Sequence, residues 1–111
     1  MTLSGDDGDA TVRLPLMQVG ITVPVSVTHR GRFLDLAVTR LDPSTVAAVS
    51  RECTHQGCLV GLPVAPSLIM NCPCHHSRFR ADGTLVQGPA DRPLPAYPAR
   101  IEGDEVVVAV G

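Results

Sequence analysis

Aromatic and lysine side chains are scarce in this sequence, and each shortage limits what the chain can be. Tryptophan and lysine are absent, and aromatic residues make up 3% of the 111 positions. The predicted core is therefore aliphatic and thin, and a single domain of this size often needs a disulfide or a metal for stability. The formal net charge of −2 leaves no basic excess, so we predict no binding to nucleic acid.

Long apolar runs are also missing. The sequence contains no stretch of the roughly 18 apolar residues that a membrane span needs, so we predict no direct membrane insertion of this chain. The N-terminal residues MTLSGDDGDATVR lack the basic region and the apolar segment of a secretory signal. The targeting patterns therefore identify no compartment.

Short β-rich segments dominate the sequence after its first ten residues. They are rich in Val, Leu and Thr, and Gly, Pro, Asp or Ser closes each one: TVRLPLMQVG, ITVPVSV, RFLDLAV and STVAAVS. We predict an all-β fold, a small antiparallel sandwich or barrel. Residues 1–10 are small, acidic and unpatterned, which predicts a disordered tail before a single domain at 11–111.

Glycine and proline indicate where the strands turn or lie at an edge. Asp82-Gly83 and Glu102-Gly103-Asp104 are typical of hairpin turns, and His29 begins a third predicted turn at the surface. Pro15 and Pro24 predict edge strands or bends, because proline cannot donate a hydrogen bond to a neighbouring strand.

All four cysteines and three of the four histidines fall within one segment, in the two boxes CTHQGC and CPCHHS. Two disulfides would suit a small secreted domain but leave the histidines unexplained. Structural zinc sites use C-x2-4-C pairs, and neither the C-x4-C nor the C-x-C interval here makes a good zinc knuckle, although zinc remains an alternative. A plant-type four-cysteine cluster matches the first interval only.

The pairs C-x-H and C-x2-H fit better, because two thiolates and two imidazoles are the ligands of a Rieske [2Fe–2S] centre. The two boxes resemble those of Rieske iron–sulfur proteins, in particular the disulfide-containing subgroup of cytochrome bc and b6f complexes and arsenite oxidases. The resemblance implies one [2Fe–2S] cluster held by Cys53, His55, Cys72 and His75. It also implies a base at about 11–45 and 91–111, with a loop-built cluster-binding subdomain at about 46–90 at one end.

The resemblance assigns roles to further residues around the boxes. It implies a disulfide between Cys58 and Cys74 that ties the two loops together, and it makes Ser77 a hydrogen-bond donor to the cluster. Gly57 would allow a positive φ in the first loop, and Pro89 belongs to a proline loop that covers the cluster from a third side.

Three positions depart from the high-potential quinol-oxidising members. Phe79 stands where those proteins carry a tyrosine that donates to a cysteine sulfur, so we expect a potential below the top of the roughly −150 to +300 mV range. His76 replaces a glycine, and Gln56 replaces a leucine at the quinol-site interface. The case for quinol docking is weakened accordingly.

The function that the resemblance implies is one-electron transfer, with the cofactor supplying the redox chemistry. We expect an electron-transfer subunit or domain of a larger oxidoreductase, with a redox protein such as a cytochrome or an oxidase or oxygenase subunit as partner, and possible quinol contact within a complex. A freestanding Rieske ferredoxin is the alternative. The apolar loop Leu59–Pro66 is expected to be partly core and partly a docking rim. The disulfide favours an extracytoplasmic location.

Overall fold

Eleven strands form the described part of the chain in this computed structural model, which covers residues 10–53, 58–74 and 76–110 and the backbone of Thr2–Ser4. The strands are β1 Thr2–Ser4, β2 Thr11–Pro15, β3 Thr22–His29, β4 Arg32–Asp42, β5 Thr45–Ser50, β6 Ile69–Asn71, β7 Arg78–Arg80, β8 Leu85–Gln87, β9 Ala96–Tyr97, β10 Ala99–Glu102 and β11 Glu105–Ala109. The predicted all-β, antiparallel fold is confirmed. Within the described ranges there is no helix that could cross a membrane.

The strands form three antiparallel sheets. The first has the order β1-β2-β11-β10, the second β3-β4-β5-β9, and the third β6-β7-β8. Successive side chains of a strand point to opposite faces of its sheet. In β2, Val12 and Leu14 are accordingly buried while Arg13 is exposed. Pro24 lies in β3 at the edge of the second sheet, and Pro15 is the last residue of β2, as their missing donors predicted.

The predicted hairpin turns are confirmed. His29 pairs with Arg32, so Arg30 and Gly31 form a two-residue turn in which both have positive φ, at 52° and 74°. These angles match the turn type that follows the twist of paired strands. The turn at Gly103 joins β10 to β11, and the turn at Gly83 joins β7 to β8.

Two cores occupy opposite faces of the second sheet. The first lies between the first and second sheets and consists of Ala10, Val12, Leu14, Met17, Val25, Val27, Leu36, Val38, Val46, Ala48, Val106, Val108 and Val110. The second core lies against the third sheet and the two boxes and consists of Ala37, Val49, Cys53, Val60, Met70, Cys72, Phe79, Ala90 and Leu94. Cys53 and Cys72 of the boxes therefore lie against one face of the second sheet. The opposite face of that sheet packs against the first sheet.

Part of the N-terminal segment pairs with the first sheet and packs in the first core. The backbone of Thr2–Ser4 pairs with β2, and Ala10 is 3% exposed in the first core. The alternation of Val12 and Leu14 extends back to Ala10, whose carbonyl accepts the Val110 amide at 3.0 Å. The division into tail, base and cluster-binding subdomain stays a prediction.

Candidate metal centre

Two backbone pairings join the segments on either side of the first box's interior. Glu52 pairs with Leu59, and the Cys53 amide donates to the Cys58 carbonyl at 2.8 Å. Arg51 braces the same loop, because its Nε donates to the Val60 carbonyl at 3.0 Å. These bonds fix the backbone position of Cys53, whose side chain is buried in the second core.

The described residues of the second box are joined by similar backbone bonds between β6 and β7. The Cys72 amide donates to the Ser77 carbonyl at 2.8 Å, and the His76 amide donates back to the Cys72 carbonyl at 2.9 Å. His76 has φ of 64°, a left-handed conformation that favours glycine and that histidine adopts less readily. This angle gives a physical reason for the glycine that related second boxes carry at the position.

The predicted disulfide between Cys58 and Cys74 is confirmed. It joins the two boxes with a Cα–Cα distance of 6.5 Å and a sequence separation of 16. The free cysteines of the described residues are Cys53 and Cys72, which are 3% and 2% exposed and both belong to the second core. The structure thus sorts the four cysteines into one crosslink and two buried thiols.

The imidazoles of the predicted ligand set cannot be placed in the same way. His55, Gln56, Gly57 and His75 lie outside the described residues. Their roles stay predictions from the sequence and its resemblance to known boxes.

Ser77 and the proline loop are joined by a hydrogen bond that the sequence did not indicate. The Ser77 side chain is 0% exposed, and its Oγ accepts the Ala90 amide at 3.0 Å. The bond fastens the segment that contains Pro89 to the second box. It leaves the Ser77 hydroxyl proton available to donate elsewhere. Pro89 itself is exposed, and Ala90 is buried in the second core.

Phe79 is fully buried beside the two free thiols. It is 0% exposed, lies in β7 and shares the second core with Cys53 and Cys72. A phenyl ring at this position excludes water and offers no hydrogen-bond donor.

The loop after the first box is partly core and partly surface, as predicted. Val60 is 0% exposed, whereas Leu59 and Val64 are 49% and 71% exposed. Leu59 also lines an open cleft of about 950 Å³ that reaches Cys53 and includes Arg32, Phe33 and Arg92. Apolar side chains and charged side chains of both signs, with Asp35 and Glu52 beside the arginines, therefore line the cleft next to the first box.

Asp82 stabilises the turn of the β7–β8 hairpin. Hydrogen bonds from the Thr84 side chain and amide hold the pKa of the Asp82 carboxyl below its usual value, and the amide contact measures 2.9 Å. The carboxylate is consequently ionised at neutral pH and caps the turn that supports the second box.

Comparison with known proteins agrees with this arrangement of boxes. The sequence model of the Rieske [2Fe-2S] domain matches residues 17–98. The cytochrome b6-f complex iron-sulfur subunit of Chlorobaculum thiosulfatiphilum is 42% identical over 64 residues, which are 58% of this chain and 35% of that protein. The chain thus spans about a third of the length of the curated relatives it matches first.

Two solved structures share the fold over most of their length. The cyanobacterial plasma membrane Rieske protein PetC3 from Synechocystis PCC 6803 is 30% identical with a TM-score of 0.67, over 78% of this chain and 86% of that chain. The ferredoxin of carbazole 1,9a-dioxygenase from Nocardioides aromaticivorans IC177 is 31% identical with a TM-score of 0.68, over 91% of this chain and 98% of that chain. The chain belongs to the Rieske [2Fe–2S] domain family, and it binds a [2Fe–2S] cluster that transfers one electron at a time.

Proposed function

We propose that Cys53, His55, Cys72 and His75 hold the [2Fe–2S] cluster, and that the chain transfers electrons as a subunit or domain of a bc- or b6f-type oxidoreductase. The observation that supports the proposal most strongly is the division of the four cysteines into one disulfide pair and two free thiols. The disulfide consumes Cys58 and Cys74, and two buried thiols remain, one in each box. A Rieske centre requires two thiolates, and the second ligand pair is supplied by His55 and His75 of the same boxes.

The donor chemistry fits the cofactor. Cys53 and Cys72 lie in an apolar core, and thiolates in such a place need a metal to compensate their charge. When bound, the cluster supplies a site that accepts and releases a single electron.

The surrounding side chains tune and protect that site. Ser77 is positioned by Ala90 so that its hydroxyl proton is free to stabilise negative charge on a sulfur, which raises the potential. Phe79 excludes water and donates nothing, which leaves the potential below that of members with a tyrosine.

Paired serine variants test the ligand assignment. Cys53→Ser and Cys72→Ser are expected to abolish the visible absorption and the reduced-state EPR signal of the cluster. Cys58→Ser is the matched control, since it removes a cysteine of the first box that we place in the disulfide. Retention of a full cluster by Cys53→Ser, or an iron content of zero in the unmodified protein with zinc in its place, would overturn the assignment.

A freestanding ferredoxin is the second candidate function. It is favoured by the carbazole dioxygenase ferredoxin, whose fold this chain matches over 98% of that chain's length. The disulfide and the b6-f relatives support the first candidate. Reduction of the cluster by ascorbate would support the high-potential subunit, whereas reduction by dithionite alone would support the ferredoxin.

We propose further that the redox partner contacts the exposed apolar surface beside the first box. Leu59 is the central residue, because it is 49% exposed and lies next to Cys53 in the cleft. Leu59→Ser should slow electron transfer to a c-type cytochrome at least threefold without changing the potential. Val19→Ser, at an equally exposed position between β2 and β3, is the control. Equal rates for both variants would contradict this docking site.

A further inference from the structure

Three sulfur atoms from the two boxes lie close together beside the second core. The Sγ atoms of Cys58, Cys72 and Cys74 are all within 4.8 Å of one another. Two of them form the disulfide, and the third belongs to a free cysteine. Cys53, the other free cysteine, is not part of this group of described residues.

A free thiol beside a disulfide is the arrangement from which thiol–disulfide exchange starts, because a thiolate attacks one sulfur of the bond and displaces the other. We propose that, in the cluster-free chain, Cys72 attacks the Cys58–Cys74 disulfide from within the protein. The Cys72–Cys58 bond forms as the Cys58–Cys74 bond breaks, and Cys74 leaves with the electron pair and takes up a proton. One thiol and one disulfide are consumed and one of each is formed, so no external oxidant or reductant is needed.

The exposure of the three residues indicates which of the two disulfide cysteines leaves in the exchange. Cys74 is an exposed residue, which favours it as the leaving thiol, whereas Cys58 is half-buried and packs against the second core. The alternative product of the exchange is a bond between Cys72 and Cys74, which would close a loop around a single residue, Pro73. The new loop from Cys58 to Cys72 is nearly as long as the native one with its separation of 16, so chain entropy differs little between them.

The burial of Cys72 makes this internal reaction the main route to its modification. Cys72 is 2% exposed and is therefore shielded from thiols and oxidants in solution, while both sulfur atoms of the disulfide lie within 4.8 Å of its own. The backbone bonds from Cys72 to Ser77 and from His76 to Cys72 keep the thiol in place beside the disulfide.

The consequence for assembly rests on the proposed function, in which Cys72 is an iron ligand. A sulfur bound to iron is not available for attack, so the cluster protects the disulfide from exchange. A chain that forms its disulfide before receiving the cluster converts one iron ligand into a crosslink and exposes a thiol at Cys74. The cluster must therefore be inserted before the disulfide closes.

Two matched variants test the exchange without any cluster. Cys53→Ser keeps the free thiol of Cys72 within the three-sulfur group, and Cys72→Ser keeps a free thiol at Cys53 outside it. Both carry one thiol and the same disulfide. Each is incubated without added thiol, then quenched with N-ethylmaleimide in mildly acidic guanidinium chloride, so that buried thiols are labelled and exchange stops.

Mass spectrometry identifies the labelled cysteine. Trypsin releases residues 52–78 with all four cysteine positions, and chymotryptic cleavage after Leu68 separates Cys58 from the second box. We expect at least tenfold more label on Cys74 in Cys53→Ser than in Cys72→Ser. Label confined to Cys72 in Cys53→Ser would overturn the proposal.

The unmodified protein provides a second arm. After removal of iron by a chelator, label is expected on Cys53 and Cys74, whereas the protein with its cluster should yield label on Cys53 and Cys72 after quenching. Label on Cys53 and Cys72 in both samples would contradict the exchange. A protein that never contains iron would contradict the proposed function, and the serine variants would still decide the exchange.

Discussion

Replacement of Gly83 by alanine is expected to destabilise the site end of the molecule. Gly83 lies in the β7–β8 turn with φ of 93°, and its carbonyl accepts the Leu94 amide at 2.9 Å. A Cβ built at this position would lie 2.9 Å from the Leu94 carbonyl oxygen and 3.2 Å from Cγ1 of Val49. The first neighbour is backbone and cannot rotate away, so the turn must separate from the segment that carries Leu94.

The size of the effect follows from three contributions. A left-handed conformation costs a non-glycine residue about 1–2 kcal/mol, and overpacking against a fixed neighbour costs about 1–3 kcal/mol. Alanine lowers the entropy of the unfolded chain, which returns about 0.4–1 kcal/mol. We expect Gly83→Ala to lower the free energy of unfolding by about 2–3 kcal/mol, which corresponds to a decrease in Tm on the order of 10 °C for a domain of this size.

Gly103→Ala is the matched control, because Gly103 also has a positive φ, at 59°, but a Cβ there would meet nothing within 4 Å. It should lose about 1 kcal/mol or less, from backbone strain alone. Unfolding followed by far-ultraviolet circular dichroism gives the stabilities, and the visible absorption of the cluster reports the site. Equal losses for the two variants would refute the contact with Leu94 as the cause.

Three further predictions concern side chains near the boxes. Phe79→Tyr should raise the potential by a few tens of millivolts, since one hydrogen bond of about 1 kcal/mol corresponds to roughly 40 mV for one electron; protein-film voltammetry that finds no change in a folded variant would contradict the placement of its ring. Ser77→Ala leaves the Ala90 amide without its acceptor and should cost about 1–3 kcal/mol in unfolding experiments and lower the potential. Asp82→Asn should lower Tm at pH 7. The lowered pKa of Asp82 means that its contribution is present above the ordinary value of 3.8 and is lost as the pH falls through the folded-state pKa, so the two melting temperatures should converge in acid.

Local features of the fold could be predicted from the sequence because short-range chemistry determines them. The turn after His29 needs two residues with positive φ, and glycine is one of them. Pro24 lacks an amide donor, which restricts it to an edge strand. The disulfide between Cys58 and Cys74 was implied by resemblance, since spacing alone does not determine how four cysteines pair.

Contacts between distant segments could not be predicted in this way. The bond from the Ala90 amide to Ser77 joins residues 13 apart and leaves no local pattern in either segment. The neighbours of Gly83 come from β5 and from the segment before β9, so the turn signal identified the hairpin without the reason for its glycine. The positions of His55 and His75 lie outside the described residues, and the ligand set is for that reason still a prediction.

The second sheet explains how a core with so few aromatic residues supports a metal centre. Successive residues of β4 and β5 point to opposite faces, so Val38 and Ala48 pack in the first core while Ala37 and Val49 pack in the second. Neighbouring residues of the same strand thus stabilise both cores. The sheet that supports the boxes is therefore also held in place by the first core. The disulfide then needs to fasten only the outer ends of the two boxes, whose inner ends are already joined to that sheet and to β6 and β7. Loss of the disulfide should therefore loosen the site while the base remains folded.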